Sequence, residues 1–281
     1  MGMPNAYKVA NEMINDKMRE SDRYDDFMKI KDADVVIVSG CYDHIQNVFK
    51  AADMKYGLTP PVGLDKVQIN PEQTIFINCP GKITNLGIRK ISHFVNEGGF
   101  LFTTDWALTN VIEKAFPGYI KYNNKPTRDE VVKVEIVGND PFLSTLIENR
   151  DNPLWWLEGS SYPIEVINHD NVEILVKSSE IRNKYGQSPV FVTFPYGKGK
   201  VYHMISHFYL QRSEVRDSRG VKSGSFYASE KLKMNSAKKN KYASMVDSDT
   251  NVAEVESAYT STAIINKILF DKKKSWFKRN G

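Results

Sequence analysis

Apolar and polar residues alternate with two different periods along this chain, and the change of period marks its elements. Over 5–31, Tyr7, Val9, Ala10, Met13, Ile14 and Met18 recur every three or four residues among charges. That spacing predicts a helix with one face laid on the body. Asp34-Val35-Val36-Ile37-Val38-Ser39-Gly40 is a short, unbroken β-branched run closed by glycine, the mark of a strand buried on both faces. Thr74-Ile75-Phe76-Ile77-Asn78-Cys79 and Phe100-Leu101-Phe102-Thr103-Thr104 repeat it, and a weaker strand is expected near Val67–Ile69. Helical spacing fills 45–52 and 85–97, the latter stopped by Gly98-Gly99. Strands alternating with helices predict a parallel sheet joined by right-handed crossovers.

After Phe116-Pro117-Gly118 the pattern changes. Residues 130–137 alternate, as a half-exposed strand does, and a short helix is expected over 141–149. Strands follow over 164–167, 172–176, 190–194 and 201–205, the last two joined as a hairpin by Pro195-Tyr196-Gly197-Lys198-Gly199. Between Gln211 and Met245 the periodicity disappears, with nine Lys and Arg against three acids. The expected organisation is an N-terminal helix (1–33), an α/β domain (34–210), a mobile basic insertion (211–250), a closing helix (251–270) and a basic tail (271–281).

Composition narrows the picture only modestly. The formal charge of +4 is small, and 41% hydrophobic residues suffice for one sizeable core. Two cysteines cannot form a disulfide framework, so free thiols in a cytoplasmic setting are expected. No apolar run approaches the length of a membrane span, and no membrane partner is expected. The basic insertion and tail are read as solvated charge, with no base-reading motif beside them, so nucleic acid is not expected as the main partner.

The chemistry gathers at strand ends. In an open α/β sheet the carboxyl ends of the strands line the ligand crevice. Cys41, Asp43 and His44 follow the first strand, Cys79 and Gly81 the third, Asp105 and Trp106 the fourth, and His207 the last. Asp105 and Asp43 have a second reading as N-caps of the helices they precede. Cys41, Asp43, His44 and Cys79 include zinc-type ligands, but the spacing is compressed and the cysteines lie on separate strands. No metal or cofactor is expected. Trp155-Trp156 is read as core or pocket wall and His203 as a buried core residue.

In this order the parts resemble the class I glutamine amidotransferase-like superfamily over roughly residues 34–210. Cys79-Pro80-Gly81 matches its oxyanion segment, Thr104-Asp105-Trp106-Ala107 its nucleophile elbow, and Ser206-His207-Phe208-Tyr209 the strand end bearing its catalytic histidine. The Gly-Lys-Gly-Lys-Val hairpin also resembles the trehalose-utilisation-like branch. The resemblance implies a flavodoxin-like three-layer sandwich with a mainly parallel sheet. It departs from the family where Asp105 replaces the nucleophilic cysteine and Tyr209 the acid after the histidine. A carboxylate at the elbow is a poor acyl acceptor, which excludes amide hydrolysis by that route.

The expected function is therefore a non-catalytic module that binds a small polar ligand or a partner protein at the crevice. One alternative is a hydrolase using Asp105 and His207 for acid–base chemistry on a sugar- or nucleotide-like substrate. Another is a nucleic-acid-associated protein acting through its basic insertion.

Overall fold

A computed structural model describes residues 2–21, 24–30, 33–137, 154–208 and 236–280. The chain opens with α1 (Met3–Arg19) and α2 (Tyr24–Ile30), where one helical segment is expected, and enters the sheet with β1 (Val35–Val38). Next come α3 (Ile45–Ala51), β2 (Gly57–Thr59), β3 (Thr74–Ile77), α4 (Asn85–Asn96) and β4 (Phe100–Thr104). The second strand thus forms at Gly57–Thr59 and not at the expected 67–69. Its three residues are enough to extend the edge beside β1, and Pro61–Asp65 then turns as a short 3-10 helix.

A π-turn (Leu108–Ile112) passes into α5 (Glu113–Ala115) and β5 (Ile120–Tyr122). The single strand expected over 130–137 is two, β6 (Glu130–Lys133) and β7 (Glu135–Ile136), which join different sheets. β8 (Leu154–Leu157) and β9 (Ile164–Val166) lead to β10 (Glu173–Lys177) and α6 (Ser179–Tyr185), a helix the sequence reading missed. The hairpin β11 (Pro189–Tyr196) and β12 (Gly199–Met204) turns at Gly197, whose φ of 56° suits a residue without Cβ. α7 (Ser236–Met245) and α8 (Val252–Asn280) complete the chain.

Eight strands form one sheet in the order β2-β1-β3-β4-β12-β11-β10-β7. From β2 to β12 every pairing is parallel, and the three pairings beyond β12 are antiparallel. The fold is mixed α/β with a large, mainly parallel sheet. Register places Phe76 beside Phe102 and Phe102 beside Tyr202, so one face carries a row of rings that Phe49 and Phe191 extend. Burying rings of this size contributes about 1.5–3 kcal/mol each, which makes this row a main source of stability.

α8 replaces the expected closing helix and basic tail with one continuous element. Its residues 254–269 are buried throughout, because α1 and β8 pack against it. Hydroxyls inside it turn back on the helix, Thr260 to the Glu256 carbonyl and Thr262 to that of Ala258, which satisfies them without water. The expected helix over 141–149 and the basic stretch 211–235 lie outside the described residues. The rest of that stretch includes α7, where Tyr242 is fully buried and its hydroxyl donates to Asp16 at 2.6 Å.

Candidate functional site

Parallel pairing is what assembles the site. β1, β3, β4 and β12 all point their carboxyl ends the same way, and Val38 pairs with Ile77, Ile77 with Thr103, and Thr103 with His203. The residues just past those pairs are therefore neighbours: Cys79 after β3, Asp105 after β4, His207 after β12 and Asp43 after β1. Four sequence-distant strand ends become one cluster.

Asp105 stands at the strand-to-helix elbow with φ of 45°, a left-handed conformation that a non-glycine residue holds only when its surroundings impose it. Its carboxylate turns away from the following helix. Oδ1 accepts the backbone N–H of Tyr162 at 2.8 Å, and Oδ2 accepts the Ser161 hydroxyl at 2.9 Å. The residue that caps the π-turn is Ala107, with no side-chain bond. The N-cap reading of Asp105 is thereby overturned: 161–162 take the carboxylate first. Asp43 is no cap either. It accepts from the Thr104 hydroxyl at 2.6 Å and from the Phe208 N–H at 3.0 Å, tying β1 to the ends of β4 and β12. Its burial raises its pKa to about 6, although His207, Thr104 and the backbone N–H groups of Phe208 and His44 act in the other direction.

His207 sits between two carboxylates. Its Nε2 lies 3.1 Å from Asp105 Oδ2, and its Nδ1 is hydrogen-bonded to Glu158. Burial alone would lower its pKa, but Asp105, Cys79 and Glu158 outweigh that and hold it well above the usual histidine value. The two carboxylates thus favour the protonated form of the ring. Glu158 is the neighbour of His207 that sequence reasoning missed. The signal was present: Glu158 ends the apolar run Leu154-Trp155-Trp156-Leu157 directly before Gly159, and so obeys the same strand-end logic as the others.

A cleft of about 350 Å³ opens over this row, lined by Cys41, Tyr42, Asp105, Trp106, Glu158 and His207, with the backbone of 159–160. Its wall is aromatic. Tyr42 meets Trp106 edge-on at 5.3 Å, Trp106 stacks on Tyr162 at 5.7 Å, and Tyr162 stacks on Tyr122 at 3.8 Å. The Trp106 indole N–H donates to the Ser160 carbonyl at 2.7 Å and locks that wall to the glycine turn. Ser160 and Ser206, flanking Glu158 and His207, also have positive φ, 67° and 71°. Strained backbone thus clusters at this cleft.

The remaining expected site residues fall outside the cleft. His44 turns its Nδ1 toward Gln46 at 3.4 Å and takes no part in the row. Gly81, φ 69°, lies under the elbow, where a Cβ would come within 2.7 Å of Ala107 Cβ; it makes room for the turn and is not among the residues lining this cleft. Trp155 and Trp156 are core residues, 2% and 4% exposed.

Cys41 and Cys79 are both free thiols but differ sharply: Cys41 is exposed at the rim, while Cys79 is fully buried, and burial pushes its thiol pKa up. Alkylation of the native protein followed by mass spectrometry should therefore show one rapid adduct, with the second forming only as denaturant opens the fold. Equal rates would place Cys79 at the surface.

No protein family matches the chain, and no curated protein does. Among solved structures it is similar to an exo-β-1,4-mannosidase from an Opitutaceae bacterium (14% identity, TM-score 0.42, 66% of this chain and 33% of that one). It is also similar to a cytoplasmic protein from Salmonella typhimurium (11%, 0.43, 62% and 87%) and to a putative ThuA-like protein from Bacteroides uniformis (12%, 0.44, 61% and 80%). The chain thus spans a third of the mannosidase's length. Similarity at this level leaves function to be read from the site. No described helix is long and apolar enough to cross a membrane.

Proposed function

We propose that the crevice binds a small, hydroxyl-rich polar ligand of the sugar class, and that the chain is a binding module rather than an amide hydrolase. The observation that carries this reading is the Asp105–His207–Glu158 row lying on the floor of an open cleft with an aromatic wall. A sugar ring has an apolar face suited to the Tyr42–Trp106 wall and hydroxyl edges suited to a partly exposed carboxylate such as Glu158, whose side chain is 28% exposed. A histidine held protonated between carboxylates does not activate a nucleophile, and Asp105 has both oxygens engaged. The body itself is read as a divergent, flavodoxin-like member of the amidotransferase-like group. Its parallel strands run β2-β1-β3-β4-β12, the 2-1-3-4-5 order of that fold, in which ligands bind beyond the carboxyl ends of the strands.

Isothermal titration of a panel of neutral mono- and disaccharides and nucleosides, followed by tryptophan fluorescence, tests the reading. At least one sugar should bind, and Glu158→Gln and Trp106→Ala should each weaken it tenfold or more. Binding that both variants leave unchanged, or a panel without a binder, would overturn it.

One observation favours a second reading. Backbone strain gathered at Asp105, Ser160 and Ser206 is the kind of feature that active sites retain. In that reading Asp105 and His207 carry out acid–base hydrolysis of a sugar- or nucleotide-like substrate. Turnover of an aryl glycoside or nucleotide ester would support it if Asp105→Asn abolished the activity, and turnover that survived the substitution would dismiss it.

A further inference from the structure

Cys79 Sγ, Asp105 and His207 place a thiol, a carboxylate and an imidazole with their ligating atoms all within 4.8 Å of one another. Three features distinguish this group from an ordinary ion pair. First, the buried His207 Nε2 makes no well-aligned hydrogen bond, although Asp105 Oδ2 is 3.1 Å away. The side chain is only 6% exposed. Second, the other ring nitrogen is held by Glu158 and the Asp105 carboxylate is fixed by Ser161 and Tyr162. Metal-bound histidines almost always donate their second nitrogen to a carboxylate, a backbone carbonyl or water, which sets the ring's orientation, and Glu158 would play that part here. Third, charge is unbalanced. Asp43, Asp105 and Glu158 surround one imidazole, and among the described residues no Lys or Arg pairs with any of them.

We propose that Cys79, Asp105 and His207 form a three-ligand site for a divalent zinc-type cation, whose fourth position opens into the cleft. The inference deepens the crevice reading, and rests on it in that Asp105 and His207 also line the cleft where ligand would meet the ion. Metal–nitrogen and metal–oxygen bonds of about 2.0–2.1 Å at a tetrahedral angle put the two ligand atoms about 3.3 Å apart, close to the observed spacing. A thiolate in the set selects zinc-type ions over magnesium and calcium, which prefer oxygen alone. On binding, the Cys79 thiol and the His207 Nε2 each release a proton to solvent, and the ion takes the place of both protons. Three protein ligands with an open fourth position is the arrangement of catalytic rather than structural zinc.

The test uses the full chain, reduced and stripped with chelator, titrated with Zn²⁺, Mg²⁺ and Ca²⁺ by calorimetry and with Co²⁺ by absorption. One zinc should bind per chain, with neither hard cation competing, and cobalt should show thiolate-to-metal charge transfer with the strong visible bands of a four-coordinate site. Cys79→Ser should abolish the charge-transfer band, His207→Gln should weaken binding a hundredfold or more, and Glu158→Gln should weaken it ten- to a hundredfold. Cys41→Ser should keep the Cys79 charge-transfer band. Circular dichroism checks that each variant is folded. Absence of stoichiometric zinc binding, or a charge-transfer band that follows Cys41 rather than Cys79, would overturn the site. The sugar panel, run on both the stripped and the zinc-loaded protein, separates the two ideas. Sugar binding without zinc binding removes the metal and keeps the crevice reading, while zinc binding with no sugar bound does the reverse.

Discussion

Asp105→Ala is expected to lower the unfolding free energy by about 3–5 kcal/mol, several times what loss of a helix cap would do. The side chain is 1% exposed, and truncation strands the Tyr162 N–H and the Ser161 hydroxyl and removes the carboxylate 3.1 Å from the His207 ring. Alanine is also strained at a φ of 45°, which asparagine tolerates better. Asp105→Asn should therefore cost clearly less, because its amide oxygen still accepts one of the two hydrogen bonds while the ion pair is lost. Urea unfolding in the presence of chelator measures both, and a shift in midpoint at constant slope is the expected form. A loss near 1 kcal/mol for alanine with asparagine neutral would return Asp105 to the role of a cap.

The second large effect is on pH dependence, and its sign follows from two raised pKa values. Asp43 is fully buried with a folded-state pKa of about 6, above the roughly 3.9 of an unfolded aspartate. Between those values the folded protein holds a proton that the unfolded chain has released. This contribution is fully present below about pH 4, is lost as pH rises through about 6, and amounts to about 3 kcal/mol. His207, raised above its ordinary value by Asp105, Cys79 and Glu158 despite burial, acts in a higher window. Its contribution is present below the unfolded pKa of about 6.5 and is lost as pH rises through its folded value. Thermal melts of chelator-treated wild type, Asp43→Asn and His207→Gln from about pH 4 to 9 separate the windows. Relative to wild type, Asp43→Asn should gain stability steadily between about pH 4 and 6 and then level off. His207→Gln should do so only above about 6.5. A variant-minus-wild-type curve flat across its window would mean that the carboxyl or the ring is not held as described. In Asp43→Asn the new amide can donate to the Thr104 oxygen in place of the present bond, so the comparison is not dominated by a broken contact.

Much of the sheet was legible because a buried parallel strand must be apolar on both faces. Runs such as Val35–Val38, Thr74–Ile77 and Phe100–Thr104 have no other comfortable place in water. Once those strands are parallel, their carboxyl ends must share one edge, and from that Cys41, Asp43, His44, Cys79, Asp105 and His207 were expected near one another; of these, His44 turns instead to Gln46. The short edge strand β2 and the helix α6 were not legible, since three to seven residues carry too little periodicity to outweigh their neighbours.

What the sequence by itself determined was which strand ends meet. What only the tertiary structure decided was how the groups there pair. Asp is a good N-cap in isolation, and nothing local says that Ser161 and Tyr162, some 56 residues away, will take its carboxylate instead. Glu158 reaches His207 from a different sheet, β6 with β8, whose placement over the crevice is a matter of three-dimensional packing. Likewise α8 reads as a mixed, polar helix along the chain, yet it is buried along most of its length because other elements close around it. Periodicity records which face of an element is buried. It cannot record which distant donor arrives first at a buried charge, because that depends on distances that exist only after the chain has folded.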